Sequence, residues 1–328
     1  MRPSRAIRPT AWALVTAGVI APLARRRLAI PNKPLLATVG VAPAALCVAA
    51  PASTLRDGAV CALQMWAYLA AYRMPNDDPG KLRGRVHIDY PIRLDRIVGL
   101  GRIPTERLQR ALATDGEINR FERILVWSHW AWFAVPHLAV AYVALRRPRE
   151  LGSAAARMYA VYDLGAAIYW TLPTAPPWWA AAHGHIEELG GPTPIGQYAG
   201  QRRDDGQPPL VRPMMREYGE RFWGRRWGDL YDVLGGNPLA AMPSLHFATS
   251  MMAARILSEV DPVAGAIAWT YAATLGVALV YLGEHYAVDL LAGGMLAESV
   301  HRGAGRVTPA ARLITRALRR LRALAVEA

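Results

Sequence analysis

The feature that most constrains this chain is how its residues are segregated: apolar residues come in runs and charges lie between them. The runs are 34–50, 58–72, 124–145, 154–172, 243–260, 263–282 and 286–300, with a further one at 10–24. A bilayer core about 30 Å thick needs about 20 residues of helix. Runs 124–145 and 263–282 meet that length, and the others must recruit flanking Trp, Tyr or snorkelling Arg. Only 19% of residues are charged, against about 25% in an ordinary soluble domain. The expectation is an all-α fold: a polytopic membrane helix bundle of six core spans plus N-terminal extra helices.

Four regions follow. Residues 1–72 hold N-terminal membrane segments, 73–123 an amphipathic interfacial loop, 124–300 the catalytic membrane core, and 301–328 a basic cytoplasmic tail. In the first region Arg2, Arg5 and Arg8 precede an apolar stretch, and Arg25-Arg26-Arg27 follows without a small-residue cleavage site, so a retained segment is expected. Cys47 and Cys61 both lie in apolar runs and suggest neither a disulfide framework nor a metal site. The net charge of +13 points to anionic lipid headgroups and not to nucleic acid, since no nucleic-acid module accompanies it. The tail from His301 carries seven arginines against one acid, Glu327.

Orientation follows from the helix ends that must meet. Run 263–282 leads into Gly283-Glu284-His285, from which 286–300 returns, and 243–260 starts at Pro243-Ser244. Ser244, His246, His285 and Asp289 therefore fall near one membrane face. The other face receives the basic tail and the short connection Arg146-Arg147-Pro148-Arg149. Short basic loops favour the cytoplasm, so the catalytic face is expected to be extracytoplasmic, in the cell membrane. Loop 73–123 lies on that face with eleven Lys/Arg against eight Asp/Glu. Its pattern of Ile88, Ile92, Leu94, Ile97 and Leu100 among Arg93, Asp95 and Arg96 suits a helix lying in the interface. Loop 173–242 opens with Pro173-Thr174-Ala175-Pro176-Pro177-Trp178-Trp179, which ends a helix and supplies aromatic-belt residues.

Two segments carry chemistry. Pro243-Ser244-Leu245-His246 begins a helix, where Ser caps the first turn and free N–H groups offer a seat for a phosphate. His246 in that turn is placed to protonate a leaving oxygen. In the second segment His285 and Asp289, at i and i+4, share a helix face. A carboxylate there takes one imidazole N–H, fixes the tautomer and leaves the other nitrogen free to attack phosphorus. Each piece alone has a bland reading, a structural hydrogen bond or a chance helix start. Together they stand 39 residues apart, one helix out and one back. Ionisable groups cost about 2.5–3.5 kcal/mol each inside a membrane helix, so three of them without a use would be a burden.

These motifs resemble those of the type-2 phosphatidic acid phosphatase superfamily, which includes the vanadium haloperoxidases. Pro243-Ser244-Leu245-His246 and Gly283-Glu284-His285-Tyr286-x-Val288-Asp289-Leu290 are most similar to the inositol phosphorylceramide synthase branch and its bacterial relatives. Pro173-Thr174-Ala175-Pro176-Pro177 and Leu210-Val211-Arg212 resemble that branch too. The similarity covers roughly 124–300. It implies a six-helix core with His285 as nucleophile, Asp289 as its partner, His246 as general acid then base, and a phosphohistidine intermediate needing no metal or other cofactor. The implied substrates are a phospholipid or polyprenyl-phosphate-type lipid and an acceptor, a polyol such as inositol or water.

The chain departs from the superfamily's phosphatases. Ala278 and Leu279 stand where those carry a Ser-Arg pair, and Asp205 stands where the Lys of Lys-x6-Arg-Pro is expected ahead of Arg212-Pro213. Arg212 and Arg216, with Arg93 and Arg96 in reserve, are the candidates for holding the phosphate beside Ser244. The departures tilt the reading from phosphatase to transfer onto an alcohol. His183 and His185 lack a third metal ligand, His129 and His137 read as helix-packing or interface residues, Asp163 as half of a pair with Arg255 or a tyrosine, and Glu284 as a residue that can tune acceptor binding. A non-catalytic lipid transporter or scaffold explains the runs and the tail but leaves the His/His/Asp set without a purpose. A haloperoxidase would be soluble and richer in phosphate-binding arginines.

Overall fold

The computed structural model describes residues 4–113, 119–186, 211–224 and 237–326. Arg2, Asp205, Leu210, Glu327 and most of loop 173–242 lie outside the described residues. Within them the chain is helical with no β-sheet. In order come α1 (Ser4–Ala24), α2 (Asn32–Ala49), α3 (Thr54–Arg73), α4 (Pro79–Arg83), α5 (Asp89–Val98), α6 (Pro104–Leu112), α7 (Arg120–Ala131), α8 (Val135–Arg146) and α9 (Leu151–Thr171). They continue with α10 (Pro177–Ala182), α11 (Met214–Trp223), α12 (Leu245–Val260), α13 (Pro262–Tyr281) and α14 (Ala287–Val326).

Three helices are long and apolar enough to cross a membrane, Ala6–Ala24, Asn32–Ala49 and Pro262–Tyr281, and α7 with α8 makes a fourth if taken as one bent span. That is fewer than the six core spans expected. Charge and length account for the difference. α9 carries Arg157 and Asp163, α12 has 16 residues, and the first half of α14 holds Asp289, Glu298 and Arg302. The run 124–145 is also not one straight helix: α7 and α8 meet at 57°. Pro136, near the start of α8, lacks the N–H that would continue the ladder.

Local sequence explains the boundaries that matter. Asn119 and Glu122 form a reciprocal capping box that starts α7. Asp261 ends α12 and caps α13 through the N–H groups of Val263 and Ala264, so the two form a tight antiparallel hairpin. The main core joins α8, α9 and α12 through Val143, Met158, Val161, Tyr162, Leu245 and Met252. A second cluster packs Met214, Met215 and Tyr218 of α11 between α7 and α13. Asp163, expected to pair with Arg255 or a tyrosine, instead accepts from Gln64 Nε2 at 2.9 Å, while Arg255 pairs with Glu298 at 2.8 Å.

The basic tail is not a separate element. It continues α14 through 40 residues, about 60 Å of helix at 1.5 Å per residue. Its far end packs Leu318 and Ala325 against Ile7 and Ala11 of α1 and Val48 and Ala49 of α2.

α12 and α14 cross at their starts, where Gly293 lies against the backbone of Ser244. A Cβ on Gly293 would stand 2.4 Å from the Ser244 carbonyl oxygen, whereas one on Gly303 of the same helix would meet nothing within 4 Å. Gly293→Ala is therefore expected to destabilise the protein by about 1–3 kcal/mol through overpacking. Gly303→Ala should stabilise it by about 0.5–1 kcal/mol through helix propensity. Thermal unfolding of the two variants in detergent, read against the unchanged chain, checks the contrast.

Candidate active site

The start of α12 and the start of α14 form the site together. Pro243 ends the preceding segment, and Ser244 caps α12 by accepting from the Phe247 N–H at 3.3 Å. The Ser244 N–H in turn donates to the Asp289 carbonyl at 2.9 Å, which ties the two helix starts by a direct backbone bond. The approach to α14 is a turn at the end of α13. Gly283 takes φ +78°, and a Cβ there would also meet the Val211 side chain at 2.8 Å. The N–H groups of Glu284 and His285 both bond back to the Leu279 carbonyl at 3.1 Å.

A short stretch of extended chain fixes both approaches. Thr174 bridges His87 and Ala240: its N–H donates to Leu239, and its carbonyl accepts from Ala241. Four residues on, the Trp178 N–H donates to the Gly283 carbonyl at 3.1 Å. The Tyr169 hydroxyl adds a 2.6 Å bond to the Pro243 carbonyl. The proline-rich segment after α9 thus holds the chain entering His246 and the turn entering His285.

His246 Nδ1 lies 3.1 Å from His285 Nε2. His285 Nδ1 lies 3.4 Å from Asp289 Oδ2, which also accepts from the Tyr286 N–H at 2.9 Å. Asp289 is fully buried and His285 nearly so. A carboxylate can only accept from Nδ1–H, which leaves His285 Nε2 as a bare lone pair. His246 must then present Nδ1–H to it. In this arrangement the one nitrogen able to attack is capped by the proton of its neighbour, and a substrate phosphorus has to enter between them.

Asp95, on α5, went unrecognised in the sequence as a site residue. It is fully buried, and its Oδ1 accepts from the Val288 N–H at 3.1 Å, so it caps the helix that carries Asp289. The sequence signal was there: an acid among interfacial apolar residues, on the buried side of the α5 period. Burial raises its pKa to about 7, partly offset by the Val288 N–H and reinforced by the charge of Asp289.

The arginines are dispersed. Arg212 is 1% exposed, its Nε donates to Glu217 at 2.5 Å, and Glu122 lies 3.8 Å from its Nη1. Its backbone is clamped by Gln109, which also bonds the Tyr281 carbonyl. A buried guanidinium needs such carboxylates to offset its desolvation. Arg216 is exposed and pairs with Glu220 at 3.2 Å. Arg93 is exposed on α5, and Arg96, half-buried, stands near enough to Tyr286 to act on it electrostatically. Ala278 and Leu279, at the positions of the missing Ser-Arg pair, are fully buried in the α13 interior. His183 and His185 stack on Trp179. His129, expected to be a packing or interface residue, lies beside the site, its ring 4.9 Å from that of His246. Among the described residues no group of three or more His, Cys, Asp or Glu is arranged to hold a metal ion.

The model of the PAP2 superfamily matches residues 92–301, which takes in most of α5 and everything through the first half of α14. No curated protein and no solved structure matches the chain.

The Asp95 carboxyl gives a pH test. Its folded pKa lies above the ordinary 3.8, so the folded state holds a proton that the unfolded chain releases, and stability falls as pH rises from about 4 to about 7. Asp95→Asn, which keeps an acceptor for Val288, should remove that part of the slope. The melting temperature of the variant relative to the parent should rise across this window and level off above about pH 7. A constant offset at every pH would contradict the assignment.

Proposed function

The chain belongs to the PAP2 superfamily, and from that we propose that it is an integral membrane phosphotransferase acting on a lipid donor through His285. The observation that carries the reading is the contact of His246 Nδ1 with His285 Nε2 at 3.1 Å, with Asp289 behind the second ring. In the first half-reaction Nε2 attacks phosphorus, the bond from phosphorus to the leaving oxygen breaks, and His246 gives that oxygen its proton. Asp289 keeps Nδ1–H in place and offsets the charge that grows on the ring. In the second, His246 takes the proton of an acceptor hydroxyl as its oxygen attacks phosphorus and the P–N bond breaks. The phosphate rests on the free N–H groups at the start of α12, next to Ser244.

We favour an alcohol such as inositol over water as acceptor. The buried, apolar Ala278 and Leu279 where phosphatases carry Ser-Arg support this choice. Water as acceptor would make the same site a lipid phosphatase. In this reading 124–300 is the catalytic core of a multi-pass cell-membrane protein, 73–123 lies in the interface on the extracytoplasmic face with the site, and 301–328 faces the cytoplasm. Arg212 and Arg96, with Arg93 and Arg216 further out, remain the candidates for drawing in the anionic headgroup.

The full chain, purified in detergent and supplied with phospholipid, with and without myo-inositol, tests the proposal. A new phosphodiester that forms only with the acceptor supports transfer, and phosphate release without one assigns the hydrolytic variant. Absence of both would overturn the enzyme reading. His285→Ala should abolish turnover. His246→Ala should lower it by about 10²–10⁴-fold, the usual share of general acid–base catalysis, while still forming some labelled phosphohistidine. Equal residual activity in the two variants would contradict the roles.

A further inference from the structure

The site contains a third imidazole that the two-histidine mechanism does not use. His129, on α7, is 2% exposed, and among the described residues neither of its ring nitrogens has a hydrogen-bond partner. Its ring centroid is 4.9 Å from that of His246 at an interplanar angle of 32°, and Trp132 covers His246 at 4.1 Å. His129 is also close enough to His285 to act on it electrostatically. The bend between α7 and α8 brings both rings to His246: His129 precedes the break and Trp132 begins it. Trp132 is anchored there by its indole N–H, which donates to Thr249 Oγ1 at 2.8 Å.

Buried polar nitrogens are almost always hydrogen-bonded in folded proteins, and an exception calls for a reason. A packing role does not supply one, since a phenylalanine would fill the same space without two unsatisfied nitrogens. An oxyanion beside His246 does supply one. The phosphate of the proposed substrate must lie within reach of His246 and His285, and its non-bridging oxygens need donors that Ala278 and Leu279 cannot give. We infer that His129 is a phosphate-binding residue whose ring N–H donates to a non-bridging oxygen of the transferring group, in the place of the missing Ser-Arg pair. The inference rests on the phosphotransfer reading of the same site. It places an imidazole donor where related phosphatases use a guanidinium.

The test uses the full chain in detergent with orthovanadate, a phosphate-shaped oxyanion, and the lipid donor. Three variants are compared: His129→Phe, which keeps the shape, and His129→Asn and His129→Gln, which keep an amide donor. His129→Phe should melt at or above the parent temperature, yet bind vanadate about 10- to 100-fold more weakly, the range for a lost bond to a charged group. One of the amide variants should recover most of that loss. Should the Phe variant fail to fold, the parent chain still decides: in selectively ¹⁵N-histidine-labelled protein the His129 resonance, assigned with the Gln variant, should shift on adding vanadate. An active parent whose Phe variant binds vanadate and turns over unchanged, or whose His129 signal stays put, overturns this inference alone. A parent that neither binds vanadate nor transfers phosphate overturns it together with the function it rests on.

Discussion

The arrangement depends on one crossing, where Ser244, the residue that caps α12, lies on the first turns of α14. The Ser244 N–H reaches the Asp289 carbonyl, and the absent side chain of Gly293 lets the Ser244 backbone come into contact. Both helices therefore start at the same point in space. His246 is two residues into one and His285 two residues before the other, so their rings have little choice but to meet. The hydrogen bond between them is a result of backbone packing, and the backbone contact is what has to be preserved for any chemistry to follow.

Much of the bundle could be read from the chain alone, because apolar runs bounded by Pro, Gly and charge translate directly into helices. The meeting of His246 and His285 was legible for the same reason: 39 residues is one helix, one turn and one helix. The bend after Ala131 was hidden inside a continuous apolar run, and Pro136 was the only local hint. His129 could not be placed, since its neighbourhood with His246 spans 117 positions and depends on that bend. The distant partners of Arg212 and Asp163 lie beyond local reading as well: Glu122 and Gln64 are 90 and 99 positions away, and no periodicity records such pairs, whereas Glu217 is only five positions from Arg212. Helices of spanning character are fewer than the apolar runs because α9 and α14 carry charges within them and α12 is short.

Charge is managed differently in the two halves of the molecule. Inside, the buried Arg212 meets Glu217 just along the chain and Glu122 from α7. Such pairing is what allows a guanidinium to sit in a low-dielectric interior at all. The excess of +13 is left to the outer segments, above all the second half of α14, where arginines face outward along a helix whose last turns pack on α1 and α2. An anionic bilayer surface is the natural counterpart for that face.

The proline-rich stretch after α9 touches the strand that leads to Pro243 through Thr174 and the turn that leads to His285 through Trp178. Both imidazoles are thus referenced to a single stiff rail of a few residues, two of them proline. Displacing that rail would move both arms together and leave the gap between their nitrogens unchanged. The 3.1 Å between the two imidazole nitrogens is thereby held also by bonds to one shared segment.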